Sequence, residues 1–159
     1  MRLMRAGVVL LAVAGILGAA AELASARHWS EPIQFVPWVA LGVLTLALLL
    51  LATARGRRGR LAVVRVLALG VMAASAYGVF VHIASNRDAG ALDARFAATW
   101  DQLPAATQWW YAASMTVGPA PPLAAGVLGY AAALVLLATI GLRRRPAPAD
   151  SDATVATGD

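Results

Sequence analysis

Four long apolar runs, separated by short or polar links, dominate the chain. They cover residues 6–26, 35–54, 61–82 and 123–142. An α-helix rises about 1.5 Å per residue, so about 20 apolar residues cross the ~30 Å hydrocarbon core of a bilayer. The pattern therefore predicts an all-α membrane protein, a bundle of four transmembrane helices.

The link between the third and fourth runs, residues 83–122, is too long for a simple turn. Over residues 88–103 its apolar side chains recur at helical spacing, at Leu92, Phe96, Trp100 and Leu103. This spacing predicts an interfacial amphipathic helix whose aromatic face lies on the outer leaflet or covers the bundle. A second short helix is predicted over 105–117, ended by Gly118. After the fourth run, residues 146–159 are rich in Pro, Ala, Asp and Thr, which predicts a disordered cytoplasmic tail.

Arginine is concentrated at one end of the apolar runs. Ten of the 13 basic residues, all arginines, lie on that side: Arg2, Arg5, Arg55, Arg57, Arg58, Arg60, Arg65, Arg143, Arg144 and Arg145. The other side has Arg27, Arg87 and Arg95. Arginines beside a span stay cytoplasmic, so both termini are predicted to be cytoplasmic. The net charge of +5 is thus a topology signal, and no nucleic-acid partner is expected.

Composition supports a membrane protein and removes several kinds of chemistry. The chain of 159 residues is 60% hydrophobic and 13% charged, with a mean hydropathy of +0.71. It has no cysteine, which excludes disulfides, thiolate metal sites and thiol redox chemistry. Abundant alanine and arginine without lysine are typical of a GC-rich bacterial genome. The predicted location is the bacterial inner (plasma) membrane.

Tryptophans mark the side opposite the arginines. All five fall there, at Trp29, Trp38, Trp100, Trp109 and Trp110. Tryptophan is enriched at membrane–water interfaces, so these residues are predicted to anchor the chain at one interface. The anchors of the other interface are predicted to be Arg55, Arg57, Arg58, Arg60, Arg143, Arg144 and Arg145.

The first run has a second interpretation, as a cleaved signal peptide. It begins with basic residues and ends in the small residues 24–26, which suit a cleavage site. Cleavage would leave a mature chain that begins at Arg27 and has three spans. The apolar centre is longer than the roughly 7–15 residues of signal peptides, so we expect residues 1–26 to be retained.

Four ionisable residues form the candidate site: Glu22, His28, Glu31 and His82. Glu22 and His82 each follow glycine or alanine residues at helical spacing, and such faces let helices approach closely. Both are therefore predicted to point into the bundle and to lie close together, with His28 and Glu31 at the same level. Imidazoles and carboxylates in such a site could bind a divalent metal or pass a proton.

A structural interpretation of the same residues competes with this one. Glu22 would pair with Arg27, His28 or a link backbone, and His82 would cap its own helix. Two histidines also allow a haem interpretation, but it is disfavoured because His28 lies outside the span and no attachment motif is present.

Function follows from these candidates only in outline. No nucleophile with a base and an orienting group is visible, so an enzyme is not expected. The leading interpretation is a non-enzymatic accessory or ligand-binding subunit with an outward-facing polar site. Its expected partners are the lipid bilayer and a membrane protein or further copies of itself. The alternative is a small ion, metal or metabolite transporter that uses Glu22 and His82.

Short motifs cluster at the tryptophan-rich ends of the runs. They comprise Glu22, His28, Pro32, Gln34, the pair 81–82, and the sequence 121–126 after a tryptophan-bearing link. In these motifs the chain resembles a family of small four-span bacterial membrane proteins. Because no activity is assigned to that family, the resemblance implies an architecture and no function.

Overall fold

The computed structural model describes residues 2–54, 57–140 and 142, and within them it has helices but no strands. The α-helices are α1 (Arg2–Ser25), α2 (Val36–Ala52), α3 (Arg58–Gly90), α4 (Ala105–Ala113) and α5 (Pro122–Ala138). Short 3-10 helices precede α2 and α4, at Pro32–Phe35 and Trp100–Gln102. The all-helical fold class is as predicted.

Three helices in the described part of the chain are long and apolar enough to cross a membrane: α1, α3, and α2 together with its 3-10 turn. The fourth apolar run forms a shorter helix than the predicted 123–142. This helix, α5, has 17 residues and ends at Ala138. At ~1.5 Å per residue it spans about 25 Å, somewhat less than a typical hydrocarbon core.

The short helix α5 lies at the centre of the bundle. It contacts α1, α2 and α3, and its contact with α3 is the most extensive between two helices. Small side chains allow this approach, because Ala131 and Ala132 are fully buried and Gly15 of α1 faces Ala131. The helix with the weakest span signal is therefore the one that contacts all three of the others.

A serine hydroxyl joins α3 to α5. Ser75 Oγ donates to the Ala125 carbonyl at 2.6 Å and accepts from the Gly129 N–H at 3.0 Å. These two backbone groups stand in the i−4 and i positions that pair within an α-helix. Gly129 is required here, since a Cβ at this position would lie 2.7 Å from Ser75 Oγ.

At the opposite end of the bundle from Gly90, arginines complete the carboxyl ends of helices. Arg65 Nε donates to Thr139 Oγ1 at 3.0 Å, and Arg5 Nη2 donates to the Ile140 carbonyl at 3.2 Å. Both contacts lie at the end of α5, where unpaired carbonyls and the helix dipole favour a cation. These two arginines therefore stabilise the end of α5.

The predicted arginine anchors have different environments. Arg60 donates to the Thr53 carbonyl at the end of α2, while Arg57 and Arg58 are exposed. Arg55, Arg143, Arg144 and Arg145 lie outside the described residues, as does the predicted tail 146–159.

Helix α3 continues past His82 to Gly90. The prediction of an amphipathic helix over 88–103 is therefore wrong. Residues 91–99 form turns before the 3-10 helix at Trp100–Gln102. The reason is a close approach: a Cβ on Gly90 would overlap the indole of Trp100. The chain reverses after Gly90 and brings this indole back against α3.

The second predicted helix in this link exists but is shorter than expected. It is α4, which ends at Ala113 instead of Val117. Met115 then adopts a left-handed conformation with a φ of 57°, followed by Gly118 with a φ of 77°. These two residues turn the chain back toward α3 before α5 begins.

Candidate functional site

Residues 91–120, which we call the cap, pack against the end of α3 around a small apolar core. Trp100 (5% exposed), Ala112 and Val117 are buried in it, and Ile83 of α3 packs against them. The partly buried side chains around them are Phe96, Leu103 and Tyr111. Of the four apolar residues at helical spacing over 88–103, Trp100, Phe96 and Leu103 belong to this core, although their backbone is not an α-helix, whereas Leu92 is 86% exposed.

Asn86 of α3 fastens the cap. It is fully buried (0% exposed), and its Nδ2 donates to the carbonyls of Ala112 at 3.1 Å and Ala120 at 2.7 Å. Its Oδ1 accepts from the Ala120 N–H at 2.8 Å. A Cβ on Gly118 would overlap this amide. One side chain therefore fixes both the end of α4 and the approach to α5.

A second polar contact joins α3 to the start of α4. Gln108, which is buried, donates through Nε2 to the Trp100 carbonyl at 2.8 Å and accepts at Oε1 from Arg87 Nη2 at 2.8 Å. The Arg87 guanidinium carbon lies 5.2 Å from the centre of the Trp109 ring. Trp109 in turn stacks on Phe80 of α3, with ring centres 5.9 Å apart.

An ion pair braces the cap surface. Arg95 donates to both oxygens of Asp93, at 3.0 and 2.7 Å, and to the Thr116 carbonyl at 2.6 Å. The hydrogen bonds from Arg95 lower the pKa of Asp93 from 3.8 to about 2. Because the pKa of Asp93 is lower in the folded protein than in the unfolded one, the charged Asp93 carboxylate adds to the stability of the fold above pH 3.8. This added stability is lost as the pH falls toward about 2.

The predicted orientation of Glu22 is wrong, because its side chain is exposed. Helix α1 turns Ala12, Ile16 and Ala19 toward the core. Within the described residues, no hydrogen bond or ion pair involves the Glu22 carboxylate or joins it to His82. A shared Glu22–His82 site stays a prediction.

His82 is occupied by the start of α5. Its Nδ1 lies 2.9 Å from the carbonyl oxygen of Pro121, the residue that precedes that helix. Since a carbonyl only accepts hydrogen bonds, Nδ1 is the nitrogen that carries a proton. This contact joins α3 to α5. The structural interpretation predicted that His82 caps its own helix, whereas it connects two helices.

The remaining candidates lie in the link between α1 and α2. The His28 carbonyl accepts a hydrogen bond from Trp38 Nε1 at 2.8 Å, and Glu31 is exposed. The described residues, which include all four candidates, contain no group of three or more His, Asp or Glu that could hold a metal ion. A divalent-metal site therefore has no geometric support here.

The five predicted tryptophan anchors differ in their exposure. Trp29 and Trp110 are exposed, Trp38 and Trp109 are partly buried, and Trp29 lies 6.2 Å from Trp38 between ring centres. Trp100 is the exception, because it is buried in the core of the cap. The sequence identified a tryptophan-rich end but could not separate exposed tryptophans from the one in the core; anchoring at the interface stays a prediction.

The described residues define an all-helical protein with three helices long and apolar enough to span a membrane. Comparison of the chain with protein-family models, curated proteins and solved structures finds no match.

Proposed function

We propose that the chain is a four-span inner-membrane protein that acts as a non-enzymatic accessory subunit, and that a membrane-protein partner recognises the cap. The supporting observation is the buried polar contact set of Asn86 and Gln108. Satisfied buried networks give a segment one rigid conformation. Two neighbouring helices need only about 2–8 linking residues, so an ordered cap is more than a connection.

The length of α3 supports an exposed position for the cap. Its 33 residues correspond to about 50 Å, whereas the hydrocarbon core is ~30 Å thick. The end that holds the cap would then project from the membrane. A rigid body in that position is accessible to the soluble or interfacial part of a partner protein.

Transport has less support than recognition. In the described bundle, the buried hydroxyls of Ser75 and Thr139 are occupied, the first by the α5 backbone and the second by Arg65 and the Leu136 carbonyl. Glu22, one of the two residues invoked for transport, is exposed.

Thiol labelling tests the proposed orientation. Because the chain has no cysteine, Asp101→Cys in the cap and Arg58→Cys at the start of α3 each create a single thiol, both at exposed positions. In intact cells, a membrane-impermeant maleimide should label the first variant only, since arginine-flanked ends are retained inside. The Arg58 variant should react after permeabilisation. The reverse order of labelling would show that the orientation is inverted.

Site-specific photo-crosslinking tests recognition by the cap. With a photoreactive residue at Asp101 or Gln102, both exposed, we expect one protein adduct of constant mass in native membranes. The matched control is exposed Leu49 of α2, which should not give that adduct. The adduct should also weaken in an Asn86→Ala background, where the cap loses its attachment. If the cap positions form adducts with lipid alone, the accessory role is wrong.

A further inference from the structure

Arg87 is held beside the cap by neutral groups. Its Nη2 donates to Gln108 Oε1 at 2.8 Å, and its guanidinium carbon lies 5.2 Å from the Trp109 ring centre. Across residues 2–54, 57–140 and 142, the one ion pair is Asp93–Arg95. The charge of Arg87 therefore has no acidic partner there.

Arg87 is also partly desolvated. Its Nε is buried and makes no hydrogen bond within the described residues. Gln108, the residue that positions the guanidinium, is itself 7% exposed and bonded to the Trp100 carbonyl. A fixed, half-buried cation without a counter-ion is unfavourable, so an anion bound from outside would stabilise it.

An apolar aromatic surface begins next to this cation. Phe80 lies two helical turns before Arg87, about 10 Å away along the same face of α3. Tyr77 lies about one turn before Phe80. Phe80 is 55% exposed and Tyr77 is 65% exposed. Trp110 of α4 is exposed as well, at 68%. The surface thus changes from a cation to aromatic rings in the direction of the apolar part of α3.

We propose that Arg87 binds the phosphate of a phospholipid, whose acyl chain lies along Phe80 and Tyr77. A guanidinium matches phosphate geometry and forms strong charge-assisted hydrogen bonds with it. Aromatic side chains concentrate at the level of the lipid head groups. A free phosphate would use the cation alone, whereas a phospholipid uses the cation and the aromatic surface together. This site is independent of any protein partner of the cap.

Lipid binding to the full chain tests the proposal. We would measure retention of palmitoyl-oleoyl phosphatidylglycerol on the detergent-purified protein by native mass spectrometry, and the rise in Tm that this lipid causes. Arg87→Gln should weaken binding about tenfold or more, since it removes a charged hydrogen-bond donor. The matched control is Arg95→Gln, which alters a cap arginine that has its own carboxylate and should bind as wild type.

Two further measurements separate the lipid from a free anion. Tyr77→Ala, a change at an exposed position outside the Phe80–Trp109 stack, should weaken lipid binding while the cation and the fold remain; it also tests the proposal if Arg87→Gln fails to fold. Inorganic phosphate should raise Tm less than the lipid does. Equal stabilisation by phosphate, with no effect of Tyr77→Ala, would identify an anion site and overturn the lipid assignment. Wild-type lipid binding by folded Arg87→Gln would overturn the site itself.

Discussion

Replacing Asn86 with alanine is expected to release the cap from α3 while the bundle stays folded. The change removes three hydrogen bonds and leaves the Ala120 carbonyl and N–H without their partner. The Ala112 carbonyl keeps a hydrogen bond from the Met115 N–H, at 3.4 Å. Each unsatisfied buried group costs roughly 1–3 kcal/mol, and the losses are not additive. Hydrogen exchange of the amides in residues 105–120 should therefore accelerate about a hundredfold or more.

Two comparisons make this result specific. Gln102→Ala changes another amide of the cap, but an exposed one, and should leave exchange in α4 unchanged. Amides of α1 and α2 should keep wild-type protection in the Asn86→Ala variant, since the hydrogen bonds of Asn86 go to Ala112 and Ala120 and not to these helices. Wild-type exchange rates over 105–120 in this variant would show that the apolar core around Trp100 holds the cap without Asn86.

The sequence predicted the long helices well because their signal is local. A bilayer-length apolar run specifies a helix whatever surrounds it, which is why α1, α2 and most of α3 follow from residue pattern alone. The end of α3 was missed for the opposite reason. Asn86 and Arg87 look like the polar start of a link, and only their contacts with residues distant in sequence make them part of a helix.

The central position of α5 was not predictable in the same way. Its alanines give an apolar run like the others, and hydropathy does not say which helix will contact all the rest. The relevant information lies in close approaches such as Gly15 to Ala131, which require knowing which helices meet. The end of α5 at Ala138 likewise depends on Arg65 and Arg5, which come from two other helices.

The candidate site was predicted from ionisable residues because charges are costly inside a membrane. That criterion selected Glu22, which is exposed, and His82, which contacts the Pro121 carbonyl. The organising residues of the cap are instead the neutral amides of Asn86 and Gln108. An amide can satisfy backbone donors and acceptors at once, but the sequence does not reveal which backbone groups need it.

Gly129→Val is expected to cause the largest loss of stability in the bundle, by forcing α5 away from α3. A Cβ at this position would lie 2.7 Å from Ser75 Oγ and 3.2 Å from Ser75 Cβ, so the helices must separate or Ser75 must leave its hydrogen bonds. Overpacking costs roughly 1–3 kcal/mol, and the lost hydrogen bonds add to it. In detergent, Tm should fall by about 10 °C.

Gly42→Val provides the matched control for this change. Gly42 lies within the apolar helix α2, but no atom would come within 4 Å of a Cβ there, so the same substitution should leave Tm nearly unchanged. In a Ser75→Gly background, Gly129→Val should cost less than in the wild type, because the obstructing side chain is gone and neighbouring changes couple. Equal Tm values for the two valine variants would show that α3 and α5 do not approach each other as closely as Ser75 and Gly129 require.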